Sequence, residues 1–210
     1  GGEGGMTGSA ESIAVVDDME EIRVPKFYSK YILGVYGTGS HVPILEGAPT
    51  TVSCQLAAVI GSQCHRVQRD EANDFIAGVC VCCDFSVQDW DTNESKWLIA
   101  KAYDAPLLIG PAMLAMSAVQ DLESINMHAS INGDIIMECV VSEMIDDLAA
   151  CLAQVSKFMT LEPGDLILSG APKLMPKKEN PVLQPGDVVA CYADEIGEVS
   201  CTIVDETAID

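Results

Sequence analysis

The chain has 210 residues, 11 Lys plus Arg against 32 Asp plus Glu and so a formal charge of −21, with 49% of its positions hydrophobic. A chain this apolar buries enough surface to offset its ordering entropy, which excludes a disordered acidic tail and suits one domain with a substantial core. The acidity argues against sequence-independent binding to nucleic acid and against docking on anionic lipid, because both need clustered Lys and Arg.

Taken in chain order, residues 1–23 read as a mobile, acidic N-terminal segment ahead of a single domain over 24–210. Within that segment the run Ile13 to Ile22, IAVVDDMEEI, suits a short helix or a strand. LAAVIG (Leu56 to Gly61) and AGVCVCCDF (Ala77 to Phe85) are buried-strand patterns, with one or two helical turns expected between them in RDEANDFIAG. Ala105 to Gln120 is the longest uncharged stretch, but it is broken by Pro106 and Pro111 and too short for a membrane-spanning helix.

Two extended runs flank Asn132-Gly133, a dipeptide that tolerates positive φ at both central positions of a two-residue hairpin. A helix is expected next, since Met144, Ile145, Leu148, Cys151, Leu152, Val155 and Met159 recur at helical spacing, with Ser142 as its N-cap. Matching Pro-Gly-Asp turns precede LILSG and VVACYA, and a last strand, EVSCTIV, follows. The whole predicts an α+β, mostly β fold: a rolled, mixed sheet with peripheral helices.

Nine cysteines lie scattered among aliphatic residues and read as free, buried thiols. Cys80 and Cys83 form a C-x-x-C, yet in an extended run they point to opposite faces, which argues against a zinc or redox pair. His41, His65 and His128 are too far apart in sequence for a local metal site and read as structural or solvated. Asp84 closes a strongly apolar strand, and Lys101 lies in an apolar stretch nearby; a carboxylate and a partly buried lysine so placed serve either a structural ion pair or a metal and anion site.

The order LAAVIG, AGVCVCCDFSVQDW, KAYDAPLLIGP, INGDIIMECVVSEMIDDL, LEPGDLILSGAPK and LQPGDVVACYADEIGEVSCTIV resembles the fumarylacetoacetate hydrolase family, over roughly Val24 to Val204. The resemblance implies a mixed β-roll that commonly dimerises. It also implies a divalent cation, Mg²⁺ or Mn²⁺, held by a Glu-x-Glu pair and an Asp, which grips the vicinal oxygens of a 2-oxo or 1,3-diketo acid. A His-x-x-Glu pair activates water in that family, and a lysine and a threonine bind substrate. On this chain the metal aspartate falls on Asp84 and the lysine on Lys101, whereas the Glu-x-Glu pair falls on Ser53 and Gln55. The threonine motif becomes Ser169-Gly170-Ala171-Pro172, and the region matching the histidine, Val15 to Glu21, contains none.

Three carboxylates around a dication leave a local charge near −1, whereas Ser53, Gln55 and Asp84 leave one near +1, so the cation should bind weakly. The expectation that follows is a catalytically degenerate, non-enzymatic subunit without a cofactor. It would be an accessory protein of a larger assembly such as mitochondrial respiratory complex I, or a homodimer. The location expected is mitochondrial, otherwise cytoplasmic, with no nucleic-acid partner and no membrane span. In the emptied site Asp84 is expected to pair with Lys101, because an uncompensated buried charge is costly. The alternatives are an active hydrolase, decarboxylase or isomerase of small 2-oxo acids that uses Mg²⁺ or Mn²⁺, and a small-molecule binding module.

Overall fold

The computed structural model describes residues 12–16, 26–30, 35–88, 107–144, 147–170 and 181–208. The strands are β1 (Ser12–Val16), β2 (Lys26–Lys30), β3 (Val35–Tyr36), β4 (Ser40–Ile44), β5 (Thr50–Ile60), β6 (Ile76–Val87), β7 (Leu107–Ala115), β8 (Asn126–Ile131), β9 (Asp134–Val140), β10 (Leu166–Leu168), β11 (Val188–Ala193) and β12 (Gly197–Asp205). Among the described residues they form a seven-stranded sheet, ordered β2-β1-β10-β5-β6-β7-β3, and a five-stranded sheet, ordered β4-β12-β11-β8-β9. Both sheets are mixed: β1 runs parallel to β10, β3 to β7 and β4 to β12. The mostly β architecture expected from the sequence is the one observed. Strand β1 lies inside the segment 1–23 that the sequence sets apart, and it is paired on both edges.

The frame is the long antiparallel pair of β5 and β6, in one register from Thr50 opposite Val87 to Val59 opposite Gly78, with a shift before Ile60 pairs Ile76. Strand side chains alternate between faces. One face of the pair, with Cys54, Leu56, Val81, Cys83 and Phe85, joins residues of the five-stranded sheet such as Met127, Cys191 and Val199 in the main core. The other face carries Ala57, Cys80 and Cys82, which pack with Leu107 and Leu168 in a separate apolar patch. Cys80 and Cys83 therefore point opposite ways, as the extended run requires.

Local turn chemistry is where the sequence places it. Asn132 and Gly133 both take positive φ, +53° and +84°, and Ile131 pairs with Asp134 across the turn. Each Pro-Gly-Asp turn is closed by its aspartate. The N–H of Asp165 donates to the Glu162 carbonyl and that of Asp187 to the Gln184 carbonyl, while each carboxylate accepts the N–H at the start of the same turn.

The helix differs from expectation. Ser142 is not its cap; it lies in a short 3-10 turn, Val141–Glu143, because the Glu143 carboxylate turns back to accept the N–H of Val140. Helix α1 covers Leu148–Val155 and is capped by Asp147, whose carboxylate accepts the Ala150 N–H at 2.6 Å and pairs with Arg69. Phe158 and Met159 fall beyond its end and are exposed, so the apolar periodicity outruns the helix. Burial works to raise the Asp147 carboxyl, but the Arg69 side chain and the N–H groups of Ala149 and Ala150 outweigh it and hold it below the usual value.

Replacing Asp147 with Ala removes the cap and should lower stability by about 1 kcal/mol at neutral pH. A carboxyl held low in the folded state stabilises it at pH values above its unfolded pKa, and that contribution fades as pH falls through the folded pKa. Urea titrations should accordingly find wild type and D147A converging in strong acid. Separately, all nine cysteines are free and buried, and burial first of all pushes Cys139 and Cys201 up to about 12 and Cys82 and Cys191 well above the ordinary thiol value. A water-soluble aromatic disulfide reagent at mildly alkaline pH should titrate these thiols in denaturant and scarcely any in the native protein.

Candidate functional site

Beyond the apolar patch, the same face of the β5–β6 pair turns polar. Ser53 lies directly opposite Asp84, and Gln55 lies one alternation along β5, opposite Cys82. The Gln55 amide nitrogen donates to both, at 3.0 Å to Asp84 Oδ2 and 3.0 Å to Ser53 Oγ. Lys30, the last residue of β2, brings its ammonium to 2.7 Å from Asp84 Oδ1 and donates to the Phe85 carbonyl at 3.2 Å. The contact with Oδ1 is an ion pair lacking the alignment of a hydrogen bond. The Lys30 and Asp84 side chains are wholly closed to solvent, Gln55 is 1% exposed, and Ser53 is partly exposed. Among the described residues the Gln55 Oε1 atom, also buried, accepts no hydrogen bond.

This contact requires the sheet to curl. Four inter-strand steps separate β2 from β6, about 19 Å in a flat sheet, far beyond the reach of one side chain. Register through β1, β10 and β5 moreover sets Lys30 in a row with Gly78, six residues from Asp84. Only a rolled, staggered sheet returns its β2 edge to the far end of β6.

Of the residues singled out in the sequence, Ser53, Gln55 and Asp84 come together. Ser169 follows β10, and its hydroxyl is already engaged by backbone: it accepts the Leu56 N–H at 3.1 Å and donates to the Gly170 carbonyl at 3.2 Å. The bond from Leu56 ties β10 to β5. Lys101, its expected pair with Asp84, and Ala171 lie outside the described residues. Lys30 is the residue that sequence reasoning missed. It closes a short strand with lysine at both ends, Lys26 and Lys30, and no local pattern tells which one is drawn inside.

The cation implied by the family resemblance can be tested against these donors. Among the described residues no group of three His, Cys, Asp or Glu side chains is arranged to hold a metal ion. The set offers one carboxylate, one amide oxygen and one hydroxyl, and an ammonium already neutralises the carboxylate. A dication ~4 Å from both is repelled by the ammonium about as strongly as the carboxylate attracts it, about 8 kcal/mol each at an effective dielectric constant near 20, which leaves no net electrostatic hold. These residues do not fit a Mg²⁺ or Mn²⁺ site.

The pair itself has a measurable consequence. Substituting Lys30 with Met strands a buried carboxylate and should cost about 3–5 kcal/mol, whereas the double change K30M with Asp84→Leu, an apolar pair of similar bulk, should recover most of it. Chemical denaturation of the three proteins checks this; a single variant as stable as wild type would show that the pair carries no weight.

The profile of the family described as Fumarylacetoacetate (FAA) hydrolase C-terminal matches residues 6–204. A mitochondrial oxaloacetate tautomerase of Xenopus laevis is 30% identical over 193 residues, covering 88% of this chain and 60% of that protein. One of Homo sapiens is 28% identical, covering 88% and 62%. The chain thus spans about three fifths of the length of these relatives. Among solved structures, 5-carboxymethyl-2-hydroxymuconate delta-isomerase from Mycobacterium smegmatis superimposes with a TM-score of 0.82 at 25% identity, over 93% of this chain and 77% of the other. The 2-hydroxyhepta-2,4-diene-1,7-dioate isomerase from Mycobacterium marinum does so with a TM-score of 0.83 at 25% identity, over 94% and 75%. These enzyme names overturn the expectation of a non-enzymatic accessory subunit, and the respiratory-complex host falls with it. That expectation rested on the loss of the cation ligands at Ser53 and Gln55 and of the histidine. The chain belongs to the fumarylacetoacetate hydrolase family.

Proposed function

We propose that the chain catalyses keto–enol tautomerisation of a small 2-oxo dicarboxylic acid of the oxaloacetate class. The observation that carries this reading is the buried polar cluster of Lys30, Gln55 and Asp84 beside an apolar patch, in a chain whose relatives are named as oxaloacetate tautomerases. In such a reaction a C–H bond next to the keto group breaks, its electron pair becomes the new C=C bond, and the carbonyl oxygen takes up a proton. No water is consumed and no C–C bond is cut.

This reaction asks little of the positions where the chain departs from the hydrolase pattern. The region matching the family's water-activating histidine, Val15 to Glu21, contains no histidine, which counts against hydrolysis and leaves proton relocation untouched. Transition states for enolisation carry negative charge on oxygen, and donors set in a water-poor site stabilise such charge more strongly than the same groups do in water. In this chain the Lys30–Asp84 pair fixes the Gln55 amide beside an apolar patch, so the polar group offered there is held in place before a ligand arrives. The reading includes a mitochondrial location, supported by the names of the relatives.

The enol of oxaloacetate absorbs in the near ultraviolet and the keto form does not, so its decay reports the reaction directly. Purified chain should accelerate that decay about tenfold or more over buffer, with no matching release of pyruvate. Pyruvate appearing at the same rate would replace the tautomerase reading with a decarboxylase, and decay at the buffer rate would remove it.

A further inference from the structure

The donor set at the family's metal position has changed in a particular way. Two positions have lost their carboxylates, Ser53 and Gln55, and the one that remains, Asp84, holds an ammonium at 2.7 Å. The Gln55 amide turns its N–H side toward Asp84 and Ser53, which fixes the orientation: rotated the other way, its oxygen would face the carboxylate. Its own oxygen is left buried, with no hydrogen-bond donor among the described residues. A buried acceptor in that state carries the full cost of its lost hydration unless something donates to it.

We infer that in this chain the Lys30 ammonium takes the place of the divalent cation in the charge balance of the site, so that the protein neither takes up nor needs Mg²⁺ or Mn²⁺. Gln55 Oε1 is then the acceptor left for a hydroxyl. The enol tautomer of a 2-oxo acid carries such a hydroxyl beside its carboxylate and the keto tautomer does not. The inference rests on the tautomerase reading for its substrate, but not for its statement about metal.

Charge explains why the replacement is coherent. Lys30 and Asp84 cancel, Ser53 and Gln55 beside them are neutral, and these four side chains are balanced before any ligand arrives. A dication added to these four side chains would find no net negative charge to hold it. Lys30 here is a positioning residue: it neutralises and fixes Asp84, which in turn holds the Gln55 amide.

The test uses the whole chain, stripped with EDTA and desalted. Manganese is titrated in and followed by its electron paramagnetic resonance signal, while the enol-decay assay is run with and without EDTA. The inference expects no stoichiometric Mn²⁺ uptake at millimolar concentrations and full activity in the chelator. The triple variant K30M, Ser53→Glu, Gln55→Glu, which rebuilds three carboxylates and removes the ammonium, should bind Mn²⁺ about 100-fold more tightly than wild type. One equivalent of Mn²⁺ bound by wild type, or activity lost in EDTA and restored by Mg²⁺, overturns the inference. The wild-type titration needs no variant and decides the matter even where the triple variant fails to fold. Absence of tautomerase activity under every metal condition removes the functional reading, while the Mn²⁺ titration still decides the question of the cation.

Discussion

A carboxylate and an ammonium that have both given up their water must meet, and everything at this site is arranged around that meeting. Lys30 and Asp84 touch at 2.7 Å with no exposure to solvent. Charge burial of this kind is tolerated only with a partner and with hydrogen bonds to the remaining atoms, and both are present: the Phe85 carbonyl accepts from the ammonium, and the Gln55 amide donates to the carboxylate. Because the partners come from strands four steps apart in one sheet, their contact also reports the curl of that sheet.

Much of the fold was legible because its signals are local. Asn132-Gly133 and the two Pro-Gly-Asp turns announce themselves through residues that accept positive φ, and the Val- and Cys-rich run of β6 through unbroken apolar character. Alternation even separated Cys80 from Cys83. The helix start was placed too early, at Ser142 instead of Asp147, because which polar residue caps depends on tertiary neighbours such as Arg69 and on the Glu143 carboxylate folding back onto Val140. At the site, Ser53, Gln55 and Asp84 were reached through the family resemblance, and strand pairing then makes them neighbours. Lys30 was not found, since the rolled closure that brings it in leaves no periodicity in the sequence. Asp84 meets a lysine delivered from β2. Lys101, singled out by its apolar stretch and by the family resemblance, lies outside the described residues.

The substitutions at Ser53 and Gln55 look like loss when measured against cleavage of a carbon–carbon bond. Under the proposed tautomerase reading, which asks only for movement of a proton, they are a change of means. A hydrolase must hold a hard cation, water and a leaving carbanion at once, whereas a tautomerase must stabilise one oxyanion and handle one proton. The identical framework serves either demand, which is why the β-roll by itself does not decide the chemistry.

Strand β1 is wedged between β2 and β10, so one of its edges is completed by Leu166–Leu168, some 150 residues further on. A lone two-stranded ribbon is marginal in water. During synthesis the β1–β2 ribbon therefore lacks its second neighbour until Leu166–Leu168 has been made. The ammonium is delivered to its carboxylate as one of the last acts of folding, so a nascent chain stalled before β10 would carry the β5–β6 scaffold without the charge that completes it.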